Sequence, residues 1–235
     1  ARTEAGFNAS IGNFGTYQAD GYVSGAVSST LMLRAAASYT RRDSYLIASP
    51  MSAFPIGAAR DDLALRVQLL WKPSTNFSLL IRGDYAYLNG NNQDLVSTGN
   101  FYDLSGFRPP IPVTPPQRDN TGASRRTAGY GLALPSKNNN QVYGIAAEAN
   151  IDLGPAMLTY LGSHREQRRD EQQTGKTAVF FAGETVQGKF KQDSHELRLA
   201  TQLDGPFFAQ IGAYYFRETG DNAFYIFDTP ASAPP

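Results

Sequence analysis

Three arginines, Arg34, Arg66 and Arg82, occupy matching places in three successive stretches of alternating polar and apolar residues. Asp84 follows Arg82 by two positions, and Glu148, Asp152, Glu196 and Arg198 keep the same phase in later stretches. Side chains two apart on an extended chain share a face. These eight charges are therefore expected on one face of a sheet, where they can pair across strands, grip an anion or hold another protein segment.

Catalysis is not expected of them. Ser194-His195-Glu196 sets a hydroxyl, an imidazole and a carboxylate in a row. Neighbours on a strand point to opposite faces, however, and cannot converge as a triad must. The two histidines, His164 and His195, fall on separate predicted strands with no carboxylate at ligand spacing, so no metal site is expected. Gly12, Gly15 and Gly21 lack the strand-to-helix context of a phosphate loop. The expectation is a protein with no catalytic group, metal or cofactor.

A second group mixes aromatics with cations. Phe101, Tyr102, Phe107, Arg108, Arg125, Arg126 and Tyr130 lie in a stretch rich in Asn, Pro and Gly. Rings and guanidinium groups together suit an anionic or aromatic ligand, such as a metal chelate, and suit local loop packing equally.

Period-two alternation positions both groups, and it recurs with almost no helical pattern. Leu31, Leu33, Ala35, Ala37 and Tyr39 oppose Met32, Arg34, Ala36, Ser38 and Thr40; Leu63, Leu65, Val67, Leu69 and Trp71 oppose Ala64, Arg66, Gln68 and Lys72. The reading is nine strands, near 4–13, 17–28, 30–42, 61–72, 76–89, 141–153, 156–170, 189–203 and 207–219. Tight turns are expected at 27–30, 72–76, 153–155 and 204–206, where Pro, Gly or Ser supply turn geometry. Long polar connections are expected over 43–60, 90–140 and 171–188, all at the other end of the sheet, where 12–15 forms a single short turn.

Lys and Arg number 21, as do Asp and Glu, which removes the basic footprint of a nucleic-acid binder. Cysteine is absent, and with it disulfides and thiolate chemistry. No apolar run reaches the roughly 18 residues of a membrane-spanning helix. Strands of ten or more residues are longer than the five or six usual in soluble sandwiches. They match the roughly 9–11 residues of a tilted strand that crosses a bilayer, apolar face to lipid and polar face to a lumen. Trp71, Phe77 and Phe207 fall at the short-turn ends, and Tyr39, Tyr85, Tyr87 and Tyr215 toward the long-loop ends. Such placement predicts the two aromatic girdles of a membrane barrel.

Four stretches in series carry a family resemblance: Gly12-Asn13-Phe14-Gly15, TLMLRAAASYTRRDSYL (30–46), DDLALRVQLLWKPSTNFSLLIRGDY (61–85) and SHELRLATQLDGPFFAQIGAYYFRE (194–218). Their order resembles the barrel of TonB-dependent outer-membrane receptors of the iron-complex kind. The resemblance implies an all-β fold, an antiparallel up-and-down transmembrane β-barrel with short periplasmic turns and long extracellular loops. Residues 1–235 then form a partial barrel domain with the plug domain absent, about nine strands of about 22. It further implies active uptake of a scarce nutrient, foremost a ferric siderophore, with outer-membrane lipid, the receptor's own plug and the TonB complex as partners. The polar-face charges become plug-contact or lumen-lining candidates. Two other readings stay open: a passive porin-like barrel, and a soluble β-rich binding or adhesin module.

Overall fold

In a computed structural model, which describes residues 3–48, 57–91, 126–128, 136–177, 181–202 and 208–227, the chain is a single open antiparallel sheet with a two-stranded annex. The strands are β1 (Glu4–Gly12), β2 (Thr16–Ala26), β3 (Leu31–Arg42), β4 (Ile47–Ala48), β5 (Arg60–Ser74), β6 (Phe77–Gly90), β7 (Thr127–Ala128), β8 (Lys137–Asp152), β9 (Ala156–Thr177), β10 (Phe181–Thr201) and β11 (Gln210–Phe227). Nine of them pair in simple sequence order, β1-β2-β3-β5-β6-β8-β9-β10-β11, while β4 and β7 form a separate parallel pair. All nine expected strands are present in the expected places.

Turn chemistry defines one rim. Val27 and Ser28 donate to the Leu31 carbonyl at 2.8 and 3.1 Å. Gly154 sits at φ 86°, a left-handed conformation that suits glycine, and its N–H donates to Asp152 Oδ1 at 2.8 Å. At the opposite rim β1 turns into β2 through Phe14 and Gly15, both left-handed, with Thr16 Oγ1 donating to the Asn13 carbonyl at 2.6 Å. The short 12–15 turn thus stands at the long-connection rim, as parity requires.

Three expectations need correction. Residues 171–188 are largely not a loop: β9 runs to Thr177 and β10 starts at Phe181. Glu171 pairs with Val186, and Gln173 with Glu184, in a continuous ladder. A strand whose two faces are both polar still satisfies its backbone, but it shows no apolar alternation. For the same reason β8 begins earlier than expected, through Lys137-Asn138-Asn139-Asn140. β11 also extends further, to Phe227, through residues 223–227, which show no alternation because both of their phases are apolar or aromatic. The 72–76 turn is also tighter, because β5 continues to Ser74; a bulge between Trp71 and Ser74 accommodates Pro73, which has no N–H for the ladder. The predicted 204–206 turn and Phe207 lie outside the described residues.

The sheet has no core. Among the described residues, buried hydrophobics are limited to Leu46, Ala58 and Val186, and no large side chain is fully buried. Val67, Ile145 and Leu197 remain exposed on the apolar face. That face has a slanted upper edge, marked by Tyr17 on β2, Tyr39 on β3, Tyr87 on β6, Tyr143 on β8 and Tyr215 on β11. Through the pairing, Tyr17 stands level with Arg41, two residues above Tyr39. Tyr215 stands level with His195, Gly162, Ala147, Ile81, Leu69 and finally Leu33, six residues below Tyr39. The edge therefore descends by roughly one residue per strand, which at about 3.3 Å rise and 4.8 Å spacing corresponds to a tilt of about 35–40°. On β6 the apolar positions from Phe77 to Tyr87 cover about 33 Å of strand, or about 26 Å along the tilted axis.

Candidate functional site: the polar face

Cross-strand register places the charges that the sequence singled out. Arg34 pairs with Gln68, which pairs with Arg82; Arg66 pairs with Asp84. Glu148 pairs with Leu161, which pairs with Glu196. The phase of the alternation is therefore correct. Asp152 shares the phase, but it lies at the turn rim, where its carboxylate caps Gly154.

Ion pairing divides the rest. Arg82 reaches Glu148 at 3.3 Å, and Arg198 pairs with Glu196 on its own strand. Arg165, which sequence reasoning missed, donates from Nη2 to both Asp84 oxygens at 2.9 and 3.1 Å. Arg34 lies over the Tyr22 ring, 4.7 Å from its centroid. Arg66 has no carboxylate partner among the described residues. Arg34, Arg66 and Arg82 thus lie around Gln68, and of the three only Arg82 has a carboxylate partner, Glu148, among the described residues. That surplus of guanidinium groups suits a carboxylate-bearing segment or an anionic solute.

The long-connection rim gives Arg126 a structural task. Its Nε donates to the Tyr45 carbonyl at 2.7 Å and its guanidinium covers the Phe14 ring at 4.8 Å. Asp43 N–H donates to the Phe14 carbonyl at 2.9 Å, so the β1–β2 turn, the segment after β3 and residue 126 are tied together. Phe101, Tyr102, Phe107, Arg108, Arg125 and Tyr130 lie outside the described residues.

Aromatics gather at both edges of the apolar face. Trp71 and Phe77 meet edge-to-face at 5.7 Å beside the short-turn rim. Tyr39 and Tyr87 both pair with Leu63, and Tyr85 pairs with Tyr143. On β9–β11, His195 stacks between Tyr160 and Tyr215, each 6.1 Å away, and its Nδ1 is hydrogen-bonded to Tyr160 Oη at 2.8 Å.

Above that triplet the same face becomes charged, a feature not foreseen from the sequence. His164 Nδ1 donates to Asp193 at 2.6 Å, which holds that carboxyl below its ordinary value. One step higher, Glu166 is ringed by Arg168 at 2.8 Å, Lys189 at 3.1 Å and Lys191 at 3.8 Å. Burial raises the Glu166 pKa, but hydrogen bonds from Arg168, Tyr143 and Lys189 outweigh it and bring the group to about 2. The signal was present in 163–173, SHREQRRDEQQ, where both phases of the alternation are polar.

The fold has a solved counterpart. The chain resembles a chain of the FpvAI–pyocin S2 complex with a TM-score of 0.59, at 12% sequence identity, over 94% of this chain and 27% of that one. This chain therefore spans about a quarter of the length of its counterpart. No family model and no curated protein matches the sequence. At such low identity the likeness speaks for the fold, an all-β open sheet of the incomplete-barrel kind.

Proposed function

We propose that the chain is part of the β-barrel of an outer-membrane TonB-dependent receptor, non-enzymatic, that imports a scarce nutrient and foremost a ferric siderophore. The observation that carries this reading is the coreless sheet with its tilted apolar band, about 26 Å tall and bounded by aromatics at both edges. An isolated soluble sheet has no use for such a surface, whereas a bilayer buries it. The likeness to a chain of the FpvAI–pyocin S2 complex supports the barrel, and the sequence resemblance supports the TonB-dependent kind. On this reading the polar face lines the lumen, where Arg34, Arg66 and Arg82 meet a plug segment or the passing solute.

Cell fractionation and uptake test the proposal. The protein is expected in the detergent-soluble outer-membrane fraction, with radioiron uptake from a ferric siderophore abolished by gene deletion and by a proton uncoupler. Recovery in buffer without detergent would overturn the membrane reading. Uptake that survives the uncoupler would instead favour the passive barrel.

A further inference from the structure

We propose that the polar side of β10–β11 carries a binding track for a neutral oligosaccharide, built on Phe216, Phe190 and Phe224. The inference goes beyond uptake of a metal chelate and rests on that reading only in turning the polar face to the lumen. Pairing carries Phe216 through Ser194, Ser163 and Ala146 to Arg82, so these rings share the face of the arginines. They follow one another in regular steps. Phe190 stands level with Gly220, four residues above Phe216, and Phe224 lies four residues higher, level with Val186. Each step is therefore about 13 Å along the strands. Tyr214 joins the lowest ring, nearly parallel to Phe216 at 14° with centroids 6.4 Å apart. All four rings are exposed, Phe190 least at 37%. The track starts at the upper edge of the apolar band, beside Tyr215, and climbs toward the long-connection rim.

Two glycines turn Phe190 into a platform. A Cβ on Gly220 would lie 2.9 Å from Phe190 Cε1, and one on Gly188 3.1 Å from Cε2, so the ring reclines on the bare backbone of both. One ring face rests on the sheet and the other is turned outward. An aromatic face is negative at its centre and attracts the polarised C–H bonds of a sugar ring. Between the rings the same phase supplies Gln192, Glu218 and Asn222, whose amide and carboxylate groups suit hydroxyls. Charge selects against an anion. Arg165 is committed to Asp84, Arg169 to Glu171 and Arg198 to Glu196. Glu218 has no ion-pair partner among the described residues, and the cation near Glu184 is the already engaged Arg169. Two carboxylates are thus in excess beside the rings, the opposite of the arginine cluster on β3–β6. A single sugar cannot touch rings 13 Å apart, so the ligand is a chain.

Saturation-transfer NMR with irradiation of aromatic protons tests the track, on the complete protein purified in a detergent without a sugar headgroup. The probes are maltohexaose, cellohexaose and chitohexaose, with glucose and hexagalacturonate for comparison. At least one neutral hexasaccharide is expected to receive saturation and to bind at least tenfold more tightly than glucose or hexagalacturonate. Phe190→Leu/Phe216→Leu is expected to weaken that binding about tenfold, because two flat faces are lost while bulk and apolarity are kept; Phe190→Tyr is expected to retain it. Glu218→Gln is expected to narrow the gap between hexagalacturonate and the neutral chain severalfold. No transfer to any of the three neutral chains overturns the track and leaves the rings to another segment of the protein. Equal binding by wild type and the double leucine variant overturns the site. Hexagalacturonate binding as tightly as the neutral chain overturns the neutral class, and glucose doing so overturns the chain. Radioiron uptake is scored separately: a protein that binds a hexasaccharide but imports no iron keeps the track and rejects the chelate reading, while the reverse rejects the track alone.

Discussion

Arg165 on β9 grips Asp84 on β6 although a whole strand, β8, lies between them. The residue on β8 that stands between the two is Gly144. A Cβ there would lie 3.1 Å from Arg165 Nη2 and 3.3 Å from Cζ, so the missing side chain is the gap through which the guanidinium reaches. Three adjacent strands are thus cross-linked on the polar face by one ion pair and one absence.

Gly144→Val is expected to displace the guanidinium and to uncouple Asp84 from Arg165. Both groups are partly exposed, so the loss is modest, on the order of 1 kcal/mol. A double-mutant cycle with Asp84→Ala and Arg165→Ala, read by guanidinium unfolding in detergent, is expected to give coupling in wild type and none in the Gly144→Val background. Equal coupling in both backgrounds refutes the role given to Gly144.

Substitution on the two faces is expected to be strongly asymmetric. Val67→Arg places a charge at mid-height of the apolar band and is expected to cost roughly 2–4 kcal/mol of stability in a bilayer. Ala86→Arg, on the polar face, is expected to cost little. The comparison is made by unfolding in phosphatidylcholine vesicles, and similar costs at both sites contradict the lipid-facing assignment of Val67.

Trp71 and Phe77 provide a third check. Their edge-to-face contact links β5 to β6 at the short-turn rim and is expected to contribute about 0.5–1.5 kcal/mol beyond simple burial. Leucine replacements, singly and together, measure that coupling by the same unfolding assay. Additive effects would remove the contact from the list of stabilising pairs.

Acid should weaken the β8–β10 region through Glu166. Its folded pKa, about 2, lies below the ordinary 4.5, so its contribution is complete above about 4.5 and is lost as pH falls through about 2. Carboxyl-carbon NMR is expected to show a resonance titrating near the lower value, absent in Glu166→Gln. Titration at the ordinary value would mean that the three cations do not engage the group.

Much of this was legible in the residues. Alternation gave each strand its place and gave Arg34, Arg66 and Glu196 their common face, because a period of two admits only two phases. The upper halves of β9 and β10 were hidden, since Glu171, Gln173 and Gln187 form a good ladder without any apolar rhythm. Arg165 was passed over because its partner lies two strands away across a glycine, a relationship that register alone reveals. The charges around Glu166 were masked for a related reason: the band slants, so Lys191 stands level with Thr219 and Ala37, yet only Ala37 falls inside the apolar zone.

That slant also sets a rule for joining the ends. The sheet is a strip of lattice cut on the bias, and each strand climbs about one residue relative to the last. Strands added at the same offset bring the final one back to β1 displaced by as many residues as there are strands, like the end of a screw thread one pitch above its start. A single residue inserted within any strand therefore does more than disturb its neighbours. It changes the pitch, and the mismatch reappears at the closing joint however far away that joint lies.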